Sequence, residues 1–165
     1  MQRQRIPTRG RKSRAISPEY LAGFIDAEGS LMLAKVKRLS HWSPGYAARV
    51  YVDNTDKAIL GDIQRDFGGI LTDQPAREPG WKHGYKLVWS GRRVERLLSL
   101  IEPYLQIKRS RARILLQFIA HNRRTKQGHV GRNFARLSPW VLSYRETLYR
   151  RMRELNARGP RLDMA

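Results

Sequence analysis

Cysteine is absent from this sequence of 165 residues, and acids are scarce, with 14 Asp and Glu against 33 Lys and Arg. The first absence excludes disulfides and zinc sites built on thiolates. The second leaves a formal net charge of +19, a balance that favours a polyanionic partner. A generic RNA- or ribosome-associated protein would carry the same charge, so charge alone does not choose among nucleic-acid partners. No run is long or apolar enough for a signal peptide or a membrane span. The expectation is therefore an intracellular protein without a membrane partner, in a prokaryotic cytoplasm or an organelle matrix, which the sequence does not distinguish. The length suits one domain with a proper core.

What the chain does have is a dense stretch from Leu21 to Ser30, LAGFIDAEGS. Ser17 is placed to cap a helix, Pro18 suits its first position, Glu19 suits its first turn, and Gly29 offers a stop. Ala22, Gly23 and Ala27 are small, and Gly23 and Ala27 lie on one helical face, where another backbone can approach closely. Asp26 and Glu28 close the helix; two positions apart, they cannot share a face.

This stretch resembles the signature of the LAGLIDADG homing endonucleases. The resemblance implies that motif helices of two domains or subunits pack together, and that the last acid of each, here Glu28, holds a divalent metal over DNA. Many members carry aspartate there, and glutamate has a longer arm. The chain holds one copy of the motif, so the resemblance implies a homodimer, with Ala22, Gly23 and Ala27 at its interface. It also implies that the backbone carbonyl of Ala27 adds a ligand, and that the metal is Mg²⁺ or Mn²⁺. Asp26 is assigned mainly to structure, with direct metal contact as the other reading.

The remaining elements follow from periodicity. Residues 1–16 carry Arg3, Arg5, Arg9, Arg11, Lys12 and Arg14 without an acid, which reads as a basic arm, disordered until it meets phosphate; an organellar transit peptide has a similar look. Residues 17–158 form the domain and 159–165 a short tail. Ser30 to Arg38 and Tyr46 to Asp53 predict a hairpin, in which Ala48, Val50 and Val52 alternate with Ala47, Arg49 and Tyr51. The first of these strands is mixed in parity, so its register stays open and a bulge is one solution. Helix signals then cover Asp56 to Phe67, followed by a second hairpin, Ile70 to Gln74 and Gly84 to Trp89. Further helices are predicted from Ser90 to Pro103 with Ser90 as cap, over Ser110 to Asn122 with Ala112, Leu115, Leu116 and Ile119 inward, and from Ser138 to about Ala157. In the last, Val141, Tyr144, Leu148, Met152 and Leu155 form the inner side, while Arg145, Arg150, Arg151 and Arg153 form a basic one, solvated or laid along DNA. The fold class is α+β. The helix–strand–strand–helix–strand–strand–helix order is the one the family resemblance implies, with a curved antiparallel saddle and C-terminal helices added.

By the same resemblance, Asn54 lies where relatives place a polar residue that positions water, a simple helix cap being the other reading. Lys108, in the segment PYLQIKRSR, matches the family's active-site lysine; otherwise it is one more surface lysine. Lys57 is a substitute for a second basic residue whose place falls near Ala58. Sequence reading would fall to the polar sheet face, with Arg49, Tyr51, Lys82 and Lys86, and either Lys35 and Lys37 or Arg38 according to register. The segment HNRRTKQGH, from His121 to His129, faintly suggests a His-Asn-His metal finger, but it lacks Cys partners.

The implied function is metal-dependent cleavage of double-stranded DNA at a long, pseudo-palindromic site by an intron-encoded homodimer. The rival is an RNA-binding intron maturase on the same fold without DNA cleavage. A transcriptional regulator derived from the family is a third option.

Overall fold

The computed structural model describes residues 15–36, 45–76, 78–80, 82–125 and 137–157. In chain order these form α1 (Pro18–Glu28), β1 (Gly29–Val36), β2 (Gly45–Asn54), α2 (Lys57–Phe67), β3 (Ile70–Gln74), β4 (Gly84–Ser90), α3 (Arg92–Ile101), a 3₁₀ turn (Glu102–Tyr104), α4 (Arg109–Arg124) and α5 (Pro139–Asn156). The strands make one antiparallel sheet in the order β1-β2-β4-β3. Among the described residues no helix is long and apolar enough to cross a membrane.

Helix α1 starts as its sequence demands: Ser17 Oγ accepts from Tyr20 N at 3.2 Å, and Pro18 takes the first position. It ends without a loop, because Gly29 is already strand. The turn is so tight that a Cβ on Gly29 would lie 2.8 Å from the Ile25 carbonyl oxygen and 2.9 Å from its Cα. Glycine is required here for space, its backbone being extended.

One face of the sheet packs under the helices. Leu31, Leu33, Ala48, Val50, Val52, Leu87 and Trp89 are buried there against Leu21, Ile25, Leu60, Ile63, Leu98 and Leu115. Each such large side chain contributes roughly 1.5–3 kcal/mol of burial. The indole of Trp89 still satisfies its N–H, donating to the Phe67 carbonyl at 3.1 Å. The opposite face stays open, and among the described strand residues on it Gly45 alone is buried.

The register of β1 is unbroken, from Gly29 opposite Val52 to Val36 opposite Gly45. There is no bulge, and the mixed parity has another cause. Lys35 shares the helix-covered face with Leu31 and Leu33, and its ammonium reaches Glu146 of α5 at 2.9 Å. It also lies 4.8 Å from the centre of the Tyr149 ring.

Several helical expectations shift. Ser90 does not cap α3; it ends β4, and Gly91 with φ +59° holds the cap position. In α4 the inward stripe is Ala112, Ile114, Leu115 and Phe118, with Leu116 and Ile119 only partly buried, because α4 meets β1 on one side and α5 on the other. In α5, Val141, Leu148 and Met152 are buried, but Tyr144 and Leu155 are exposed. Arg145, expected on the solvated side, is buried and reaches Thr125 Oγ1 at 3.5 Å across the α4–α5 junction. The basic arm from 1 to 14 and the tail from 158 onward lie outside the described residues.

Candidate active site and nucleic-acid face

The C-terminal end of α1 gathers the chemistry. Its last carbonyls have no partner within the helix and carry the negative end of the helix dipole. Lys108, at the start of α4, brings its ammonium to this end, donating to the carbonyls of Ile25 at 2.8 Å and Asp26 at 2.5 Å. Burial holds the Lys108 ammonium below the ordinary lysine value, and Arg111 pushes the same way, while the carboxylates of Asp26 and Glu28 oppose them.

Asp26 is 9% exposed and faces the segment that carries Lys108. Its Oδ2 accepts from the N–H groups of Gln106 at 2.6 Å and Ile107 at 3.2 Å, and its Oδ1 from that of Lys108 at 2.9 Å. A carboxylate with this many charge-assisted bonds is fully engaged with backbone. Glu28 differs: it is exposed and makes no hydrogen bond or ion pair with another described residue. It lines an open groove of about 550 Å³ together with Asp53, Asn54, Lys82 and Lys86.

Asn54 ends β2, and its Oδ1 accepts from Asp56 N at 2.8 Å. The cap of α2 is Asp56, whose Oδ1 accepts from Ala58 N at 2.9 Å and Ile59 N at 3.3 Å. Asn54 therefore shapes the turn before the helix and leaves the cap to its neighbour. Lys57 is not among the residues lining the Glu28 groove; it lies 3.4 Å from Asp73 and 5.0 Å from the centre of the Tyr85 ring.

Of the expected DNA-reading residues, Arg49, Tyr51 and Lys86 project from the open face, as their pairing shows: Arg49 opposes Met32 and Ser90, Tyr51 opposes Ser30 and Val88, and Lys86 opposes Asp53 and Thr72. Lys82 is exposed beside the groove. Lys35 does not belong with them. The unbroken register turns it to the helix side, where Glu146 takes its charge. Lys37 and Arg38 lie outside the described residues.

The small residues of α1 divide. Ala22 is fully buried in the chain's own core with Leu21 and Ile25, so it is not available to a second copy. Gly23 and Ala27 are exposed, and a Cβ on Gly23 would meet nothing within 4 Å. Tyr20, half exposed and stacked on Phe24, extends this outer face by one turn, a member legible in the helical spacing but missed. Ile107, whose N–H donates to Asp26, is 70% exposed.

Of the histidine segment, residues 121–125 are described. His121 packs against Tyr144 and Trp140, with ring centres 4.5 and 5.8 Å away, and burial lowers its pKa, helped by Arg145 and Arg124. His129 lies outside the described residues. Among the described residues no three His, Asp or Glu side chains gather as a metal cluster. Glu28 offers a hard oxygen with no competing partner, which fits Mg²⁺ or Mn²⁺ but supplies only part of a coordination shell.

An open antiparallel sheet with arginine and lysine on its free face, and an unpaired carboxylate and a lysine at the end of the first helix, suit an enzyme of the α+β class that acts on nucleic acid. DNA endonuclease I-CvuI of Chlorella vulgaris is 32% identical over 114 residues, covering 67% of this chain and 68% of that protein. The crystal structure of homing endonuclease I-CvuI with its target and calcium matches with a TM-score of 0.67 at 26% identity, covering 87% of this chain and 84% of that one. The archaeal intron-encoded homing endonuclease I-Vdi141I, complexed with DNA, matches in fold with a TM-score of 0.68 at 15% identity, covering 88% and 87%. No family profile matches the chain. The chain belongs to the LAGLIDADG homing endonuclease family.

Proposed function

We propose that this endonuclease cuts double-stranded DNA at a long, pseudo-palindromic site as an intron-encoded homodimer that uses Mg²⁺ or Mn²⁺. The observation that carries the reading is that Lys108 donates to the carbonyls at the end of the helix that Glu28 closes, while Glu28 itself stays unpaired and lines the groove beside the basic sheet face. I-CvuI has been crystallised on DNA with calcium and with magnesium, which supports a divalent cation.

The outer face of α1, with Tyr20, Gly23 and Ala27, packs on its equivalent in a second copy in this reading. Two Glu28 carboxylates then approach each other and complete, with the Ala27 carbonyls and DNA phosphate oxygens, what one chain lacks. A bound divalent cation supplies charge neutralisation at the phosphate and a water of lowered pKa. Glu28 holds it in place; Lys108 directs its ammonium at the phosphate; Asn54 orders water at the groove wall. Arg49, Tyr51, Lys82 and Lys86 contact DNA along the sheet. Phosphate contacts supply most of the affinity, and base contacts the selection.

The test is cleavage of a pooled DNA library with Mg²⁺, beside the same pool with chelator and beside Glu28→Gln. Metal-dependent breaks at one near-symmetric sequence, lost in Glu28→Gln while binding persists, are expected. Cleavage retained in Glu28→Gln would remove that residue from the site, and RNA binding with no DNA cleavage would overturn the reading.

A further inference from the structure

The open sheet face carries a carboxylate where repulsion by phosphate argues against one. Asp53 on β2 is the direct partner of Lys86 on β4, with its Oδ1 3.2 Å from Lys86 Nζ and 51% of its side chain exposed. The same ammonium lies 4.7 Å from the centre of the Tyr51 ring. Lysine and aspartate are thus held side by side on neighbouring strands, on the face opposite the core. Both line the groove that contains Glu28.

An acid at this place repels every phosphate, so it helps binding only if it accepts a hydrogen bond from a base. In the major groove the amino donors are cytosine N4 and adenine N6. A lysine offers only donors and a carboxylate only acceptors. Together they match a G·C pair, in which guanine presents O6 and N7 as adjacent acceptors and cytosine presents N4 as a donor. Adenine gives the lysine one purine acceptor where guanine gives two.

We infer that Asp53 is a specificity-determining residue, accepting from cytosine N4 of one G·C pair in each half-site while Lys86 donates to the guanine. The inference rests on the double-stranded DNA reading above. The groove shared with Glu28 puts this pair at the inner end of each half-site, beside the cut. Their ion pair also holds the two side chains in place before DNA arrives, so less conformational freedom is lost on binding.

The experiment is site selection from a randomised DNA pool by the full chain with Mg²⁺, sequencing the cleaved molecules and the bound ones. The wild type is expected to prefer G·C over A·T at the innermost selected position by roughly tenfold or more. Asp53→Ala should flatten the preference there and leave the outer positions as they were; Lys86→Met should lose the guanine preference at that same pair. An unchanged Asp53→Ala profile overturns the inference. So does a rise in affinity that is uniform across sequences, because the acid then acts on phosphate alone, and so does a wild-type preference for A·T at that position. A flat profile for the wild type at every position would remove the proposed site-specific reading of double-stranded DNA itself, and is told apart because no protein in the set then selects anything.

Discussion

Asp26 and Lys108 hold each other by opposite groups: the Asp26 carboxylate accepts the Lys108 backbone N–H at 2.9 Å, and the Lys108 ammonium donates to the Asp26 backbone carbonyl at 2.5 Å. Helix α1 and the start of α4 are thereby locked in one relative position. Glu28 stands two residues from one half of this clasp, so its place follows from it.

Asp26→Asn keeps the shape but turns an amide toward backbone donors, leaving at least one of the three N–H groups without an acceptor. The expected loss is about 1.5–3 kcal/mol of folding stability, read as a lower urea midpoint with an unchanged slope. An unchanged midpoint would show that another group satisfies those N–H groups.

Lys108→Met preserves the stem and removes the ammonium. Single-turnover cleavage should slow by roughly 10²–10³-fold, with affinity for the site little changed. A variant that cuts at the wild-type rate would place Lys108 among ordinary surface lysines.

Glu146 ties α5 to the sheet, accepting from the Tyr46 hydroxyl at 2.5 Å and from Lys35 at 3.1 Å. These bonds, Tyr46 first, hold its carboxyl below the usual glutamate value. The sign follows from linkage: the unfolded group titrates near about pH 4.3, so the stabilisation is complete above that pH and fades as pH falls through the lower folded value. Glu146→Gln should melt below the wild type at neutral pH, and the gap should close in strong acid. A gap that stays constant with pH would assign the effect to packing.

Gly23→Leu separates the subunit fold from the assembly. The space above Gly23 is open within one chain, and leucine favours helix over glycine by up to about 1 kcal/mol. The variant is expected to keep its fold by circular dichroism yet sediment as a monomer and lose cleavage. Dimers persisting at wild-type strength would move the interface away from α1.

Ser17, Pro18, the Gly68–Gly69 pair and the apolar period of Ile59, Leu60 and Ile63 announce helices through contacts within a few residues, which is why the element order was legible. The same holds for the alternation of Ala48, Val50 and Val52. Candidate site residues were legible only as matches to a motif. Their surroundings were not: that Asp56 and not Asn54 caps α2 depends on the turn between β2 and α2, and that Lys35 faces α5 depends on a helix far along the chain.

The sequence by itself determined the class of fold, the charge that suits a polyanion and the helix that ends in Glu28, because each rests on composition or on near neighbours. Only the tertiary structure decided that Ala22 lies inside while Gly23 and Ala27 lie outside, that Arg145 is buried, and that Asp26 and Lys108 clasp from positions 82 residues apart. Such choices depend on which surfaces the packed chain covers, and on backbone groups that need partners only once water has been removed.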